Sequence, residues 1–254
     1  MALAAGLLSA GAQVYSANVV GYYNVVVPAN GYALIANQLT NTAAGGNNVN
    51  NVLTSGAISD VNGLNNTTLY FWNGAGYNQY QYFTGSDADN YFFLSGSVNG
   101  WYDGGGNLAT ASLAQGKGHF IRNFSASPIT NTIVGQVPQG SYSKSVINGF
   151  DTYSIIPPVS TNYDGSFANF PGTSDVNGIN NDVYYKWNGA GFNQYQYFTG
   201  SDADNYFFIS GSTAGWYDGG GNNVSQSTKP KVGEGFFIRH FGSAVPWNYS
   251  FSVQ

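Results

Sequence analysis

The sequence predicts an all-β protein made of two tandem, homologous domains, each a β-sandwich or a barrel-like sheet. Residues 59–107 recur as residues 174–222 with few differences, so one structural unit is present twice. Asn-Gly pairs separate short runs rich in Tyr, Phe, Val and Ile, a pattern typical of strands joined by tight turns. No segment shows the apolar period of a helix. Many short strands with frequent turns favour a sandwich or a barrel in each unit.

The limits of the repeat predict the domain boundaries. Residues 118–122 match residues 235–239, and weaker similarity continues on both sides of the near-identical segments. A repeat of this length is too long for a solenoid and suits a complete domain. We therefore expect a first β-domain over residues 13–138 and a second over residues 139–254.

The N-terminus predicts export from the cell. Residues 1–12 resemble the second half of a secretory signal, because a short apolar stretch ends in Ala-Gly-Ala before Gln13. The basic front of such a signal is missing, and the alternative is an N-terminal strand that stays on the protein. No apolar run approaches the ~20 residues of a membrane-spanning helix. The expected location is outside the cell or on its surface.

Charge is scarce in this chain. Charged residues make up 7% of the sequence, against roughly 25% in an ordinary soluble domain. The net charge of −5 leaves no basic patch to replace phosphate counterions, which argues against nucleic acid as a partner. Few charges also remove a common defence of sheet proteins against association. The absence of cysteine excludes disulfides and thiolate metal sites.

The segment from Thr68 to Phe83 predicts a hairpin whose faces can be compared between the copies. Phe71 of the first copy is replaced by Lys186 in the second, whereas Trp72 is matched by Trp187. An unpaired ammonium is costly to bury. We therefore expect the face with Trp72 to point inward, and Phe71 to be an exposed contact residue of the first copy.

Catalysis is not expected. His119 of the first copy is matched by Phe236, and His240 of the second copy is matched by Asn123. A histidine that phenylalanine can replace does not maintain a shared active site, and no nucleophile with a base is recognisable. The sequence predicts a protein that is not an enzyme and has no organic cofactor.

Duplicated acidic residues indicate calcium as a candidate metal. Carboxylate and amide oxygens that lie close together on a loop are what calcium requires. However, the spacing is not that of an EF-hand, and Asp and Asn also favour turns by bonding to their own backbone. The structural turn therefore competes with the calcium site. The candidate ligands are Asp87, Asp89 and Asn90, with Asp202, Asp204 and Asn205 in the second copy.

A second duplicated motif joins aromatic residues to a glycine-rich turn. An aromatic ring beside an acid can stack on a sugar and bond its hydroxyl groups, although a core aromatic that enters a turn looks the same in sequence. Polysaccharide is therefore the alternative partner, which requires solvent-accessible Trp rings. The candidate residues are Trp101, Tyr102 and Asp103, with Trp216, Tyr217 and Asp218 in the second copy.

These motifs resemble a group of uncharacterised secreted proteins of environmental bacteria. The resemblance depends on the segment Asn-Val-Val-Gly-Tyr-Tyr-Asn at 18–24, on Trp-Asn-Gly-x-Gly hairpins and on Gly-x-Phe-Ile-Arg before a last alternating strand. It covers nearly the whole chain. It implies export and a β-rich double domain, and it supplies no activity and no site residues.

The N-terminal strand suggests self-assembly. The segment formed by Asn18, Val19, Val20, Gly21 and Tyr22 resembles residues 132–135, which close the first copy, yet it precedes any domain that it could close. It could add to the edge of a neighbouring molecule, giving head-to-tail growth, or it could pair inside its own domain. We expect an extracellular structural protein that forms a filament, sheath or surface layer. The alternative is a secreted carbohydrate-binding or adhesive module.

Overall fold

The computed structural model describes residues 19–155, 167 and 170–252. The chain is mostly β and forms several antiparallel sheets, which confirms the predicted dominance of strands. The predicted division into domains at residue 138 and their sandwich or barrel form stay predictions. No helix in the described ranges is long and apolar enough to cross a membrane.

Each copy contributes a five-stranded sheet and a two-stranded sheet. In the first copy the orders are β2-β6-β3-β4-β5 and β1-β7, and in the second copy they are β9-β13-β10-β11-β12 and β8-β14. The strands of the first copy are β1 (Val20–Val27), β2 (Tyr32–Ala36), β3 (Thr68–Trp72), β4 (Tyr77–Phe83), β5 (Gly100–Tyr102), β6 (Gly118–Arg122) and β7 (Ile129–Gln136). Those of the second are β8 (Gly140–Val146), β9 (Gly149–Tyr153), β10 (Val183–Trp187), β11 (Phe192–Phe198), β12 (Gly215–Tyr217), β13 (Phe236–His240) and β14 (Val245–Phe251).

The predicted hairpin is present as β3 and β4. The Asn73 amide donates to the Gly76 carbonyl at 3.0 Å, and the Asn73 side-chain oxygen accepts from the Gly76 amide at 2.8 Å. Gly74 has a φ of +98°, which a residue without a Cβ adopts readily. The Asn-Gly pair thus determines where the chain reverses.

Short helices interrupt the strands, contrary to the expectation of a chain without helices. Those whose bounds lie within the described residues are α1 (Val49–Val52), α2 (Gly85–Phe92) and α3 (Gly200–Phe207). Thr84 caps α2 by accepting a hydrogen bond from the Asp87 amide, as Ser and Thr commonly do at helix starts. Ala88 is the only residue of α2 that is buried. A helix that is so short and buries one residue shows no apolar period in the sequence.

The predicted exposure of the hairpin face that carries Phe71 is wrong. Leu69 is fully buried in the core of the first copy, and Phe71 packs against that core on the same face of β3. Phe71 is half-buried, with its ring 4.1 Å from that of His119, so it is not an exposed contact. The equivalent position of the second copy accommodates Lys186 because the ammonium donates to two backbone carbonyls at 3.1 Å and lies 3.7 Å from Glu234.

The opposite faces of the two large sheets meet each other. The Trp72 indole nitrogen donates to the Phe150 carbonyl at 3.2 Å, and the Trp187 indole nitrogen donates to the Tyr32 carbonyl at 3.2 Å. The two bonds are reciprocal between the copies. An aromatic layer fills the space around them, made of Tyr32, Tyr70, Trp72, Phe120, Phe150, Tyr185, Trp187, Phe192 and Phe237 with Leu34.

Backbone hydrogen bonds also join the copies. The Gly235 amide donates to the Leu34 carbonyl at 2.9 Å, and the Ala36 amide donates to the Gly233 carbonyl at 2.8 Å. Gly118 and Gly235 occupy equivalent positions and face one another. A Cβ added to Gly235 would lie 2.6 Å from the Gly118 Cα. Only glycine permits so close an approach of two backbones.

We predict that Gly235→Ala lowers the free energy of unfolding by about 1–3 kcal/mol, because the new methyl group would overpack the contact between the copies. Gly76→Ala is the matched control, since a Cβ there meets nothing within 4 Å. Urea denaturation at neutral pH measures both. Equal stability of the two variants would contradict the close approach at Gly235.

Candidate functional site

The acidic residues that suggested calcium form structural turns and caps instead. Asp87 accepts a hydrogen bond from the Ser59 hydroxyl at 2.5 Å, and Asp89 accepts from the Gly96 and Ser97 amides at 3.0 Å. The two carboxylates are two residues apart on α2 and so point away from each other. In the described ranges no three acidic or histidine side chains converge as metal ligands. Asp202 and Asp204 repeat this arrangement on α3, and the Asn205 side-chain amide donates to the Ser201 carbonyl at 2.9 Å.

The other duplicated acids close turns as well. Asp103 accepts hydrogen bonds from the Gly105 and Asn107 amides, both at 2.9 Å. The amide of Asn107 is the main cause that lowers the pKa of the Asp103 carboxyl. A carboxylate that is already bonded to its own loop has less capacity to read the hydroxyl groups of a sugar.

The structure contradicts the sugar platform predicted at the tryptophans. Trp101 and Trp216 are fully buried in the cores of their copies, so no ring face is open to a ligand. The Trp101 indole nitrogen donates to the Leu53 carbonyl at 3.1 Å. Tyr102 and Tyr217 are buried too, and each hydroxyl donates to a backbone carbonyl four residues earlier. The aromatic residues at this motif are core residues.

The two histidines occupy different environments, neither of them an accessible site. The His240 ring lies 2.9 Å from the Asp182 carboxylate, inside the protein, and its other nitrogen lies 2.8 Å from the Ser243 carbonyl oxygen. The His119 ring is buried, and neither of its nitrogens has a hydrogen-bond partner. Burial lowers the pKa of His119 from 6.5 to about 3, with a smaller contribution from nearby lysines.

We predict that His119 makes the fold sensitive to acid. Its folded pKa lies below the unfolded value, so the unfolded chain binds the extra proton and stability falls as the pH drops from about 6.5 to about 3. The maximum slope is about 1.4 kcal/mol per pH unit. In His119→Phe, which copies the residue of the second repeat, this contribution should vanish. Urea denaturation between pH 7 and pH 4 compares the two proteins, and parallel curves would exclude His119 as the acid-sensitive group.

The predicted assembly strand pairs inside its own copy. Strand β1 pairs with β7 along all eight of its residues. Val25 and Val27 are buried, and the Tyr23 hydroxyl donates to the Ala36 carbonyl at 2.7 Å. Donation of β1 to a neighbour would break these contacts. Of the two alternatives, the structure shows the pairing inside its own domain. Asn18 lies outside the described residues, as do residues 1–12.

The outer face of the β1–β7 sheet is uncharged and carries several exposed apolar side chains. The term outer face refers here to the exposed side chains of these two strands. Tyr22 is 76% exposed and pairs with Val134 on the neighbouring strand. Neither strand carries a charge or a proline. In the described part of the chain, no strand pairs with the second edge of β1. The face is formed by Val20, Tyr22, Asn24, Val26, Thr130, Thr132 and Val134.

The equivalent face of the second copy is polar. Ser141 pairs with Ser250 at the place that Tyr22 and Val134 occupy in the first copy. The other exposed residues of that sheet include Ser143, Ser145 and Asn248, and Pro246 removes a backbone donor from β14. The apolar outer face is thus a property of the first copy alone.

Each copy also displays a phenylalanine in solvent. Phe93 ends α2 and is 94% exposed, and Phe208 ends α3 and is 93% exposed. Both adopt the left-handed conformation, with φ values of 56° and 54°. That conformation costs a residue with a Cβ on the order of 1 kcal/mol, and such strain concentrates at functional sites. We call these residues, with the exposed neighbours Leu94 and Ile209, the two knobs.

An aromatic cleft opens between the copies. It has a volume of about 360 Å³, and all the side chains that line it are aromatic. Phe120 and Trp187 meet edge to face at 5.1 Å within it. Desolvation raises the pKa of Tyr70 and of Tyr77. The lining residues are Tyr32, Tyr70, Tyr77, Phe120, Trp187 and Phe192.

Comparison of the chain with protein-family models, with curated proteins and with solved structures finds no match. A function therefore has to be inferred from the surfaces described above.

Proposed function

We propose that this chain is an extracellular structural protein that assembles with copies of itself. The observation that carries the proposal is the outer face of the β1–β7 sheet. It presents valine, threonine and tyrosine to solvent on two uncharged strands, and β1 has a second edge without a strand partner in the described ranges. Such an edge is a template for pairing with another chain.

Natural sheet proteins protect exposed edges with lysine, proline, bulges or a covering element. Strands β1 and β7 have neither lysine nor proline, and their pairing runs without a bulge from Val20 to Val27. The scarcity of charge in the chain leaves little repulsion to keep two such faces apart. A surface of this kind is favourable for assembly and unfavourable for a protein that must stay monomeric.

Association through this sheet differs from strand donation. In donation, β1 would leave its own copy, whereas here it keeps its pairing with β7 and adds contacts with a neighbour. The buried side chains of β1 stay in place, which avoids exposing apolar area to water. Secretion and a filament, sheath or surface layer are parts of this proposal.

We predict that Tyr22→Lys slows assembly by about tenfold or more, because a charge at the centre of the outer face repels an equal charge on the neighbour and must be desolvated. Light scattering with negative-stain electron microscopy follows the growth of the assemblies at neutral pH and low salt.

Ser141→Lys is the matched control for this substitution. It places the same charge at the equivalent position of the β8–β14 sheet and should assemble like the natural chain. Circular dichroism and thermal melting establish that both variants fold. If Tyr22→Lys assembles as fast as Ser141→Lys, the outer face is not the contact, and a wild-type chain that stays monomeric would overturn the proposed function.

A further inference from the structure

Hydrogen bonds fix the backbone that carries each of the two knobs. The Leu94 amide donates to the Asp89 carbonyl at 3.0 Å, and the Asp89 carboxylate accepts from the Gly96 and Ser97 amides. Phe93 is thus held between a helix end and a loop that the same aspartate fixes. The equivalent bonds of Asp204 hold Phe208 in the second copy. A side chain displayed in a fixed position loses little freedom when it binds.

The aromatic cleft has the complementary properties. Its lining carries no charged side chain, and its volume of about 360 Å³ is near the lower limit for ligand pockets, so it fits one or two side chains better than a large molecule. An aromatic ring entering it would meet the edges and faces of Trp187 and Phe120, an arrangement that stabilises aromatic pairs.

The cleft lies on one side of the contact between the copies, and the equivalent aromatic residues on the other side pack differently. At the equivalent place, Phe150 stacks on Phe237 with ring centres 4.6 Å apart and planes at 14°. On the side of the cleft, Tyr32 replaces Phe150, and its ring lies at 85° to that of Phe120. The Arg122 guanidinium packs over the Tyr32 ring at 5.0 Å, which holds the ring in this orientation.

We infer that the aromatic cleft of one molecule receives a knob, Phe93 or Phe208, of a second copy of this chain. This inference rests on the proposed self-assembly and adds a second contact to it. The occupant is a second copy because the chain itself displays the uncharged aromatic side chains that such a cleft accommodates. None of the knob residues lines the cleft, so the contact joins two different surfaces and is heterologous. Heterologous contacts that do not close into a ring give open filaments.

The experiment mixes two variants in the Tyr22→Lys background, in which the contact through the outer face is removed. The first variant lacks both knobs (Phe93→Ser with Phe208→Ser) and keeps the cleft. The second carries Tyr77→Lys, which places a charge in the cleft and keeps the knobs. Tyr77 is partly exposed, so the change is compatible with folding, and Phe192→Lys is an independent cleft variant. Analytical ultracentrifugation measures association.

Each variant alone is expected to sediment as a monomer, and the mixture is expected to contain heterodimers. The knob-less variant should bind a partner with intact knobs, whereas its affinity for itself should be about 30-fold lower or undetectable. Leu108→Ser removes an exposed apolar side chain outside both surfaces and should leave heterodimer formation unchanged. Trp187 emission should shift to shorter wavelength on mixing.

A mixture that sediments as the sum of its separate components overturns the inference, provided that circular dichroism shows both variants folded. The inference is also overturned if a chain that lacks both knobs but keeps Tyr22 assembles as fast as the wild type. In that case the proposed self-assembly through the outer face still stands. A wild-type chain that does not assemble at all is a separate result, and it contradicts the proposed function.

Discussion

The structure depends on the contact between the two large sheets, where backbone meets backbone and aromatic side chains fill the rest. Gly118 and Gly235 permit the approach, and the indoles of Trp72 and Trp187 donate across it. Each five-stranded sheet therefore buries both faces, one in its own core and one against the other copy. This constraint explains the aromatic content of 17% in a chain of modest size. The few charged side chains on the large sheets, such as Lys186 and Asp151, have hydrogen-bond or ion-pair partners.

Local features were predictable from the sequence because their causes are local. The Asn73-Gly74 turn determines the hairpin, and the duplicated segments predict equivalent strands in both copies. The helices were missed because a helix of eight residues with one buried alanine has no visible period. The burial of Phe71 is not evident from the two copies because a lysine at the equivalent position indicates solvent only for a sheet that buries one face. Burial of both faces, and the carbonyl oxygens that satisfy Lys186, are long-range facts that no local pattern contains.

The same limit applies to the candidate sites. Trp101 beside Asp103 looks like a sugar site in sequence, yet Asp103 bonds to its own loop and Trp101 lies in the core. The knobs could have been found, since Phe93 follows a capped segment and is identical in both copies. The aromatic cleft could not, because its residues come from six strands of two copies and only their packing brings them together.

Duplication gives the copies different surfaces and different cores. The first copy buries His119 and Asn131 without hydrogen-bond partners, where the second buries Phe236 and Trp247. The second copy also has buried polar atoms without hydrogen-bond partners, among them the Trp216 indole nitrogen. Such groups cost stability, and binding of the folded form offsets that cost. The outer face of the first copy is the apolar one, whereas the second copy presents serine there. The proposed assembly therefore uses the first copy of each molecule. With so few charges available, the specificity of that assembly has to come from shape and from the register of backbone hydrogen bonds, which are what an unpaired strand edge and an exposed aromatic knob supply.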